Sequence, residues 1–96
     1  MALINWSEEA RQDLDTIFLR LNSESLSYSQ KWINDVFTKI ELLEKFPNMG
    51  RTVPEIRLTS IREIIVGKHR VIYNVAKEDI IEIMAIRHSS RPLSEF

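Results

Sequence analysis

The C-terminal end of the chain concentrates the side chains best suited to chemistry. Residues 86–96 read IRHSSRPLSEF, so that His88 lies between Arg87 and Arg91 with serines around it. Imidazole exchanges a proton near neutral pH and serves as a general acid or base, and guanidinium groups bind the oxygens of phosphates and carboxylates. This spacing leaves three interpretations open: a catalytic centre, a docking patch, or a polar tail.

Further arginines precede this stretch, in a half of the chain that is basic. Residues 51–91 hold eight Lys/Arg against five Asp/Glu, whereas residues 1–50 hold five against eight. Such asymmetry can present a basic face to an anionic partner, although small differences of this kind also arise by scatter. The net charge of −1 argues against a protein that coats nucleic acid. The candidates for a basic face are Arg57, Arg62, Arg70, Arg87 and Arg91.

Length and composition bound the remaining possibilities. The chain has 96 residues, 44% of them hydrophobic, and one domain over residues 1–96 is the expectation for this size. The absence of cysteine excludes a disulfide, a thiolate nucleophile and a cysteine-held metal, and we expect no metal or cofactor. Apolar runs are too short to span a membrane, and the N-terminus lacks the pattern of a secretion signal. We therefore expect a cytoplasmic protein with no membrane partner.

The first half of the chain predicts a short strand followed by two helices. Ile4 and Trp6 share one side of the strand, and Ser7 offers its hydroxyl as an N-cap. Two apolar stripes with helical spacing follow, separated by the sequence NSES. Ser27, with glutamine three residues later, has the capping-box spacing for the second helix, unless that helix starts a turn earlier. The stripes comprise Ala10, Leu14, Ile17, Phe18 and Leu21, then Trp32, Ile33, Val36, Phe37, Ile40 and Leu43.

The second half predicts a three-stranded meander. IREIIV and HRVIYNV are rich in β-branched and aromatic residues, Gly67-Lys68 between them favours a tight turn, and IIEIMAIR forms a third strand. The third strand alternates Ile81, Ile83 and Ala85 with Glu82, Met84 and Ile86. Because neither side is wholly polar, one face should pack on the helices, and the other should receive the tail, a second subunit or a partner chain.

The turn of the first hairpin decides whether Arg62 and Arg70 share a face of the sheet. With a two-residue turn, Val66 pairs with His69, and Arg62 lies opposite Tyr73 and faces away from Arg70. With a three-residue loop, Val66 pairs with Arg70 and both arginines face the same side. The sequence leaves both registers open, and the two-residue turn would remove any phosphate site shared by the two arginines.

The order of elements predicts an α+β sandwich in which a helix hairpin packs on one face of a mostly antiparallel sheet. Together with this layout, the segments FPNMGRTVPEI, REIIVGKHRVIYNV and IMAIRHSSR resemble the RelE/ParE superfamily of type II toxins over nearly the whole chain. The ParE-like branch is the closer resemblance, on PNMGR, PEIR, the R-x-I-x-V pattern from Arg62, Tyr73, and H-x-x-R from His88. The resemblance implies a toxin neutralised by a cognate antitoxin, in a system of the plasmid-stabilization type.

Two target classes follow from the resemblance. RelE-like members cleave messenger RNA on the ribosome, and this chemistry would use Arg62, Arg70, His88 and Arg91. ParE-like members inhibit DNA gyrase, and the target-binding residues would be Arg57, Arg62, Arg70, Arg87 and Arg91. The nuclease is disfavoured because Ile64 stands where RelE itself has a second lysine, and because Phe96 replaces a C-terminal tyrosine that could donate a proton. A gyrase inhibitor is the first hypothesis, a ribonuclease the alternative, and a degenerate antitoxin-binding module the second alternative.

Structural roles compete with these functional ones. Arg70 could pair across strands with Glu63 or Glu82, as charged side chains in sheets commonly do. Tyr73 alternates with valines, which favours a core position with its hydroxyl satisfied at an edge. His88 could equally be a hydrogen-bonded strand end.

Overall fold

The first half of the chain folds as the strand β1 (Leu3–Trp6) followed by the helices α1 (Glu8–Glu24) and α2 (Leu26–Lys45). The computed structural model describes residues 2–77 and 79–93. Ser7 caps α1, because its side chain accepts a hydrogen bond from the Ala10 amide at 3.0 Å. No part of the chain that the structure describes forms a helix long and apolar enough to cross a membrane.

A single serine separates the two helices. Ser25 ends α1, where its amide donates to Leu21, and it also caps α2, where its hydroxyl accepts from the Tyr28 amide at 3.2 Å. The prediction that Ser27 caps the second helix was therefore wrong by two residues, although the alternative of an earlier start was right. Ser25 has an extended backbone, which lets one residue serve both helix ends and folds them into a hairpin.

The helix hairpin covers one face of a five-stranded sheet. The other strands are β2 (Arg51–Thr52), β3 (Ile61–Val66), β4 (His69–Val75) and β5 (Ile80–His88), and the strand order is β1-β5-β4-β3-β2. The first strand pairs with the last in parallel, and all other neighbours are antiparallel. The predicted α+β class and the helix–sheet layering are confirmed, while the two-residue strand β2 was not predicted.

The β3–β4 hairpin has the two-residue turn. Val66 pairs with His69, and Gly67 has a φ of 60°, a conformation that favours glycine. Arg62 therefore lies opposite Tyr73 on the helix face, whereas Arg70 lies opposite Ile65 on the other side of the sheet. This register removes a phosphate site shared by Arg62 and Arg70.

A β-bulge in β5 breaks the predicted alternation of that strand. Ile72 pairs with Ala85 and Tyr73 pairs with Ile83, so Met84 is the extra residue. The prediction that Ile86 shares a side with Glu82 and Met84 was wrong: after the bulge, Ile86 packs in the core cluster on the helix face. That core joins Ile17, Leu21, Trp32, Val36, Ile40 and Leu43 of the helices to Val71, Tyr73, Ile81, Ile83 and Ile86 of the sheet.

The sheet face opposite the helices, called the second face here, is partly covered by the chain itself. Val53, Ile72 and Leu93 form a buried cluster, against which Ile56 and Met84 pack. The tail, one of the three predicted occupants of this face, covers part of it through Leu93. The segment between β2 and β3 covers another part through Val53 and Ile56. The closing residues of the described chain are thus part of the hydrophobic packing rather than a free extension.

Candidate functional site

A groove runs between α1 and the C-terminal end of β5, and it gathers part of the predicted basic residues. Its main chamber has a volume of about 620 Å³. The side chains that line this α1–β5 groove are Asp13, Thr16, Ile17 and Arg20 of α1, His69, and Ile86, Arg87, His88, Ser90 and Arg91 at the end of the chain. A smaller adjoining chamber shares Arg20, His69 and His88 and is also lined by Leu21, Glu24, Tyr28 and Lys68.

His69 forms the floor of the groove. It starts β4 opposite His88 of β5, and the two rings meet edge to face with centroids 5.3 Å apart. On its other side, the ring packs against Trp32, with the two ring centroids 5.4 Å apart. Only 3% of His69 is exposed. One guanidinium nitrogen of Arg20 lies 3.3 Å from Nε2 of His69. Because a guanidinium group can only donate, Nε2 accepts and the neutral ring carries its proton on Nδ1.

Burial sets the charge state of His69. Desolvation, followed by repulsion from His88 and Arg20, lowers the pKa of His69 from 6.5 to about 4. A neutral ring at pH 7 is what the contact with Arg20 requires, because a protonated imidazole would offer no lone pair to the guanidinium group. His69 therefore acts as a fixed acceptor that holds Arg20 at the edge of the groove.

His88 is oriented by the turn that follows it. The Ser90 amide donates to Nδ1 of His88 at 3.2 Å, and the Ser90 hydroxyl lies 2.7 Å from the same atom. Since an amide can only donate, Nδ1 is the acceptor, and the neutral ring carries its proton on Nε2. His88 is thus both a hydrogen-bonded strand end, as one interpretation predicted, and a donor available in the groove.

Arg87 closes one end of the groove through ion pairs. Its guanidinium group donates to Asp13 and, at 2.5 Å, to Glu9, both on α1, and the same Asp13 carboxylate accepts from the Ile86 amide at 2.9 Å. Burial opposes the charge of Arg87, but these carboxylates outweigh it and raise the pKa of its side chain. Arg87 joins the end of β5 to α1.

Arg20 and Arg91 differ from Arg87 in their partners. Within residues 2–77 and 79–93, neither side chain lies within 4 Å of a carboxylate oxygen. Both are exposed and both line the groove. The groove therefore holds guanidinium groups whose charge the described residues leave uncompensated by an ion pair.

Arg70 lies outside the groove, in a buried cluster with two carboxylates. Its Nε donates to Glu63 at 2.6 Å, and its two terminal nitrogens donate to Glu55, each at 2.8 Å. Glu63 also accepts from Arg51 at 2.5 Å. The predicted pairing of Arg70 with Glu63 is thereby confirmed. The second carboxylate bound to Arg70 belongs to Glu55 and not to Glu82, the other predicted partner. The hydrogen bonds from Arg70 lower the pKa of Glu55 to about 2.

This Arg70 cluster fastens the tail to the second face. Arg70 donates to the backbone oxygen of Arg91 at 3.4 Å, and Glu55 accepts from the Leu93 amide at 3.4 Å. The backbone of residues 91–93 is held in this way while the Arg91 side chain reaches the groove. From the second face of the sheet, Arg70 thus stabilises the backbone segment that carries Arg91.

Arg62 is engaged with the loop that follows α2. It donates to the backbone oxygen of Gly50 at 2.8 Å. Tyr73, fully buried, donates to the oxygen of Pro47 at 2.8 Å and accepts from the Gly50 amide at 2.9 Å, so its predicted core position is confirmed. Arg57 is exposed and has a φ of 60°, in the segment before β3. The predicted site residues are therefore divided: Arg87, His88 and Arg91 meet in the groove, and Arg57, Arg62 and Arg70 lie elsewhere.

Sequence reasoning did not select Arg20, Asp13 or His69. The two α1 residues lie seven positions apart on the border of the apolar stripe, a position that adjoins the core and could have marked them. His69 is recognisable only once β4 is paired with β5, because that register sets it against His88. Among the side chains the structure describes, no group of three His, Cys, Asp or Glu is arranged to hold a metal ion.

The burial of His69 predicts a stability that depends on pH. The unfolded chain takes up a proton on this ring near pH 6.5, and the folded chain does so only near pH 4. The unfolded state therefore binds more protons between these values, and the free energy of unfolding should fall as the pH decreases from about 6.5 to 4 and stay constant above 6.5 for this group. Urea titrations of the native chain and of His69→Gln at pH 7.5 and 5 measure the effect.

The glutamine variant serves as the control for this pH dependence. It can still accept from Arg20 but has no proton to take up in this range, so the fall should be smaller than in the native chain. The pair of Glu55 and Arg70 contributes at lower pH, between about 4.5 and 2. An equal fall in both proteins would contradict the assignment to His69.

A helix hairpin on one face of a five-stranded α+β sheet is the architecture of RelE/ParE-like toxins, and comparison with solved structures supports it. A chain of the chromosomal ParDE TA system from P. aeruginosa superimposes with a TM-score of 0.73 at 20% sequence identity, covering 92% of this chain and 96% of that one. The chain belongs to the family described as the ParE toxin of the type II toxin-antitoxin system parDE, whose model matches residues 4–93. Among curated protein sequences, no relative matches significantly.

Proposed function

We propose that this chain inhibits DNA gyrase by binding it, without chemistry of its own, and that a cognate antitoxin neutralises it. Membership of the ParE toxin family supports the toxin role, and the similar structure comes from a ParDE toxin–antitoxin system. Action in the cytoplasm and a contribution to plasmid maintenance are parts of the same proposal.

The main support for binding over catalysis is that the four residues that a nuclease would need are separated in the fold. Arg62 and Arg70 lie on opposite faces of the sheet, and Arg70 is 4% exposed and held by two carboxylates. His88 and Arg91 line a groove that neither of the other two lines. Cleavage of RNA requires acid–base and charge-stabilising groups within reach of one phosphodiester. Their dispersal supports a binding role and disfavours the ribonuclease alternative.

The exposed arginines are the proposed contacts with gyrase. Arg57 and Arg91 have exposed side chains, whereas Arg62, Arg70 and Arg87 make hydrogen bonds within the fold. We propose that the first two touch the target, together with the turn after β5, and that the other three hold the surface in shape. The predicted contribution of the tail from Ser89 extends to Phe96, and its last three residues lie outside the described part of the chain.

The helix hairpin is the proposed main contact for the antitoxin. Large apolar side chains are exposed along it, among them Leu19 at 66%, Leu26 at 60% and Phe37 at 45%. A segment that folds on binding can cover such a surface while remaining disordered when free. Purification of the chain from its native operon should therefore recover a small partner protein, and recovery of the chain alone would contradict this part of the proposal.

Expression without an antitoxin separates the three functions. A gyrase inhibitor should cause filamentation and DNA damage before protein synthesis stops, and the purified chain should block DNA supercoiling by gyrase. A ribonuclease should instead arrest translation at once and cut ribosome-bound messages. Normal growth with a well-folded chain would favour the degenerate binding module and would sink the gyrase proposal.

His88→Gln tests whether killing requires proton transfer. Glutamine keeps the approximate size and hydrogen bonding of the ring but cannot act as an acid or base, so toxicity should remain within a few-fold of the native chain. A positioned acid–base group contributes about 10²–10⁴-fold to the rate in an enzyme, and the ribonuclease alternative therefore expects killing to disappear. The dose of inducer that halves colony formation provides the measure, with protein level monitored in parallel.

A further inference from the structure

The hydroxyl of Ser90 is hydrogen-bonded to a ring nitrogen that can take up its proton. Its Oγ lies 2.7 Å from Nδ1 of His88, and the Ser90 amide donates to the same nitrogen at 3.2 Å. Because an amide can only donate, Nδ1 carries no proton in this arrangement, and the hydroxyl is therefore a second donor to it. A hydroxyl that directs its proton at a neutral imidazole nitrogen is paired as a nucleophile with its general base.

Position, and not exposure alone, distinguishes Ser90 from the serine beside it. Both Ser89 and Ser90 are exposed in the turn after β5, but of the two only Ser90 lines the α1–β5 groove. In the part of the chain that the structure describes, no ring nitrogen is hydrogen-bonded to the Ser89 hydroxyl, whose proton therefore has no positioned base. Ser89 thus provides a matched comparison within the same turn.

Two guanidinium groups in the groove can hold an anion attached to Ser90. Arg20 and Arg91 line the same chamber as Ser90, and no described residue forms an ion pair with either of them. His69 fixes Arg20 by accepting from it at 3.3 Å, while Arg70 donates to the backbone oxygen of Arg91 at 3.4 Å. Guanidinium groups bind the oxygens of a phosphoryl group, whereas a neutral acyl group would leave both charges without a partner. The surroundings therefore favour a phosphoryl group on Ser90.

We infer that Ser90 accepts a phosphoryl group from an acyl phosphate and that Arg20 and Arg91 hold the resulting phosphoserine. In this step, Oγ of Ser90 gives its proton to Nδ1 of His88 and forms a bond to phosphorus, while the bond between phosphorus and the acyl oxygen breaks. The electron pair of that bond leaves with the carboxylate, which needs no proton, and the imidazolium then passes its proton to water. An acyl phosphate suits the site because the step needs one base, in contact with the nucleophile, and no acid for the leaving group.

The modification would regulate the surface already proposed to touch gyrase. Ser90 belongs to the turn after β5 and adjoins Arg91, which are both proposed contacts. A phosphoserine carries a charge of about −1.5 to −2 near pH 7 and pairs with arginine, so the phosphorylated chain should inhibit supercoiling at least about tenfold more weakly. This consequence rests on the proposed function, whereas the reactivity of Ser90 does not.

Acetyl phosphate is the probe for the reaction. The purified full chain is incubated with it, and mass spectrometry of its peptides identifies the modified residue and the group added. A phosphoryl group should appear on Ser90 at least about a hundredfold faster than on Ser89, since a positioned base contributes about this factor or more. Equal phosphorylation of both serines would overturn the inference, and so would transfer of the acetyl group to Ser90 in place of the phosphoryl group.

Substitutions assign the base and the cation. His88→Gln removes the base and should slow phosphorylation of Ser90 about a hundredfold or more. Arg20→Gln should slow it about tenfold or more, whereas Lys77→Gln, at an exposed cation on the turn before β5, should leave the rate unchanged. An unchanged rate in His88→Gln would show that the hydrogen bond only fixes the turn, and it would refute the inference. Amide spectra establish that each variant keeps the fold.

Phosphoserine incorporated during translation, at position 90 or at position 89, tests how the product is held. In nitrogen–proton correlation spectra, the side-chain Nε–H signal of Arg20, which is distant in sequence from both positions, should shift with phosphoserine at position 90 and stay in place with phosphoserine at position 89. A signal that stays in place in both proteins would contradict the assignment of the phosphate to the guanidinium groups.

The outcome is separable from the gyrase proposal. A chain that blocks supercoiling but is not phosphorylated at Ser90 loses only the modification site. A chain that is phosphorylated at Ser90 through His88 but leaves gyrase active keeps the modification site and loses the proposed target. A phosphorylated chain that inhibits gyrase as well as the native one does keeps both and loses the regulatory consequence.

Discussion

Replacing Arg70 with methionine will lower the free energy of unfolding by about 3–5 kcal/mol. The reason is the carboxylate left behind: the side chain of Glu63 is fully buried, and Arg70 donates to it at 2.6 Å. Its remaining partner, Arg51, is 64% exposed in its side chain and screened by solvent. The substitution also removes both hydrogen bonds to Glu55 and the one to the backbone of Arg91. Urea unfolding at pH 7 gives the measurement.

The double variant Arg70→Met, Glu63→Met is the matched control. Replacing a buried ion pair by apolar side chains of similar volume is often close to neutral, because the cost of desolvating both charges disappears with them. The double variant should therefore recover most of the stability that the single variant loses. Arg57→Met, on an exposed arginine, should change the free energy of unfolding by less than about 0.5 kcal/mol. A single variant as stable as the native chain would show that the buried carboxylate is solvated by some other route.

Gly50→Ala will lower the free energy of unfolding by about 3 kcal/mol, the upper end of the usual cost of overpacking. A Cβ at this position would lie 2.6 Å from the backbone oxygen of Glu63 and 2.6 Å from the hydroxyl of Tyr73. Neither neighbour can retreat easily, because one is backbone in a central strand pair and the other is a buried ring hydrogen-bonded to Pro47 and Gly50. Thermal and urea unfolding should agree on the loss.

Gly67→Ala provides the comparison, since the two glycines are required for different reasons. Gly67 has a positive φ, which costs an alanine about 1–2 kcal/mol, and the nearest atom to its new Cβ would be the hydroxyl at the end of the Tyr28 side chain, at 3.0 Å. Gly50 should therefore be the more sensitive position, although backbone conformation alone would single out Gly67. A larger loss at Gly67 would mean that the loop at residues 47–50 yields to the added methyl group.

Local patterns in the sequence were sufficient to predict every element except β2, and insufficient to predict the contacts between them. The apolar stripes predicted both helices, and the β-branched runs predicted β3, β4 and β5. The start of α2 was predicted two residues too late because Ser25 and Ser27 are equally good N-caps in isolation. The direction in which the chain turns after α1 decides which of them caps the helix. Strand β2 escaped notice because two residues carry no periodic pattern, and only pairing with β3 defines it.

Predicting the candidate site would have required the pairing of the strands and the contacts between distant residues, which local sequence patterns do not give. The bulge at Met84 changes which face each later residue of β5 occupies, and a period of two cannot reveal it. Arg70 was predicted either to bind a ligand or to form an ion pair across strands. Its second partner, Glu55, comes from an irregular segment that no pairing rule predicts. Arg20 and His69 meet across 49 positions of sequence, which explains why the polar C-terminal stretch was found and its partners were not.

The parallel pairing of β1 with β5 has a consequence for synthesis on the ribosome. Leu3–Trp6 is translated before its partner, which begins at Ile80, so the edge of the sheet stays unformed while the 73 intervening residues, 7–79, are translated. At about 5–20 residues per second, this interval lasts roughly 4–15 s. The helix hairpin can form earlier because its contacts are local, whereas the groove between α1 and β5 exists only after β5 has been translated. A nascent chain thus presents its helices to a partner before it possesses the surface at its C-terminal end.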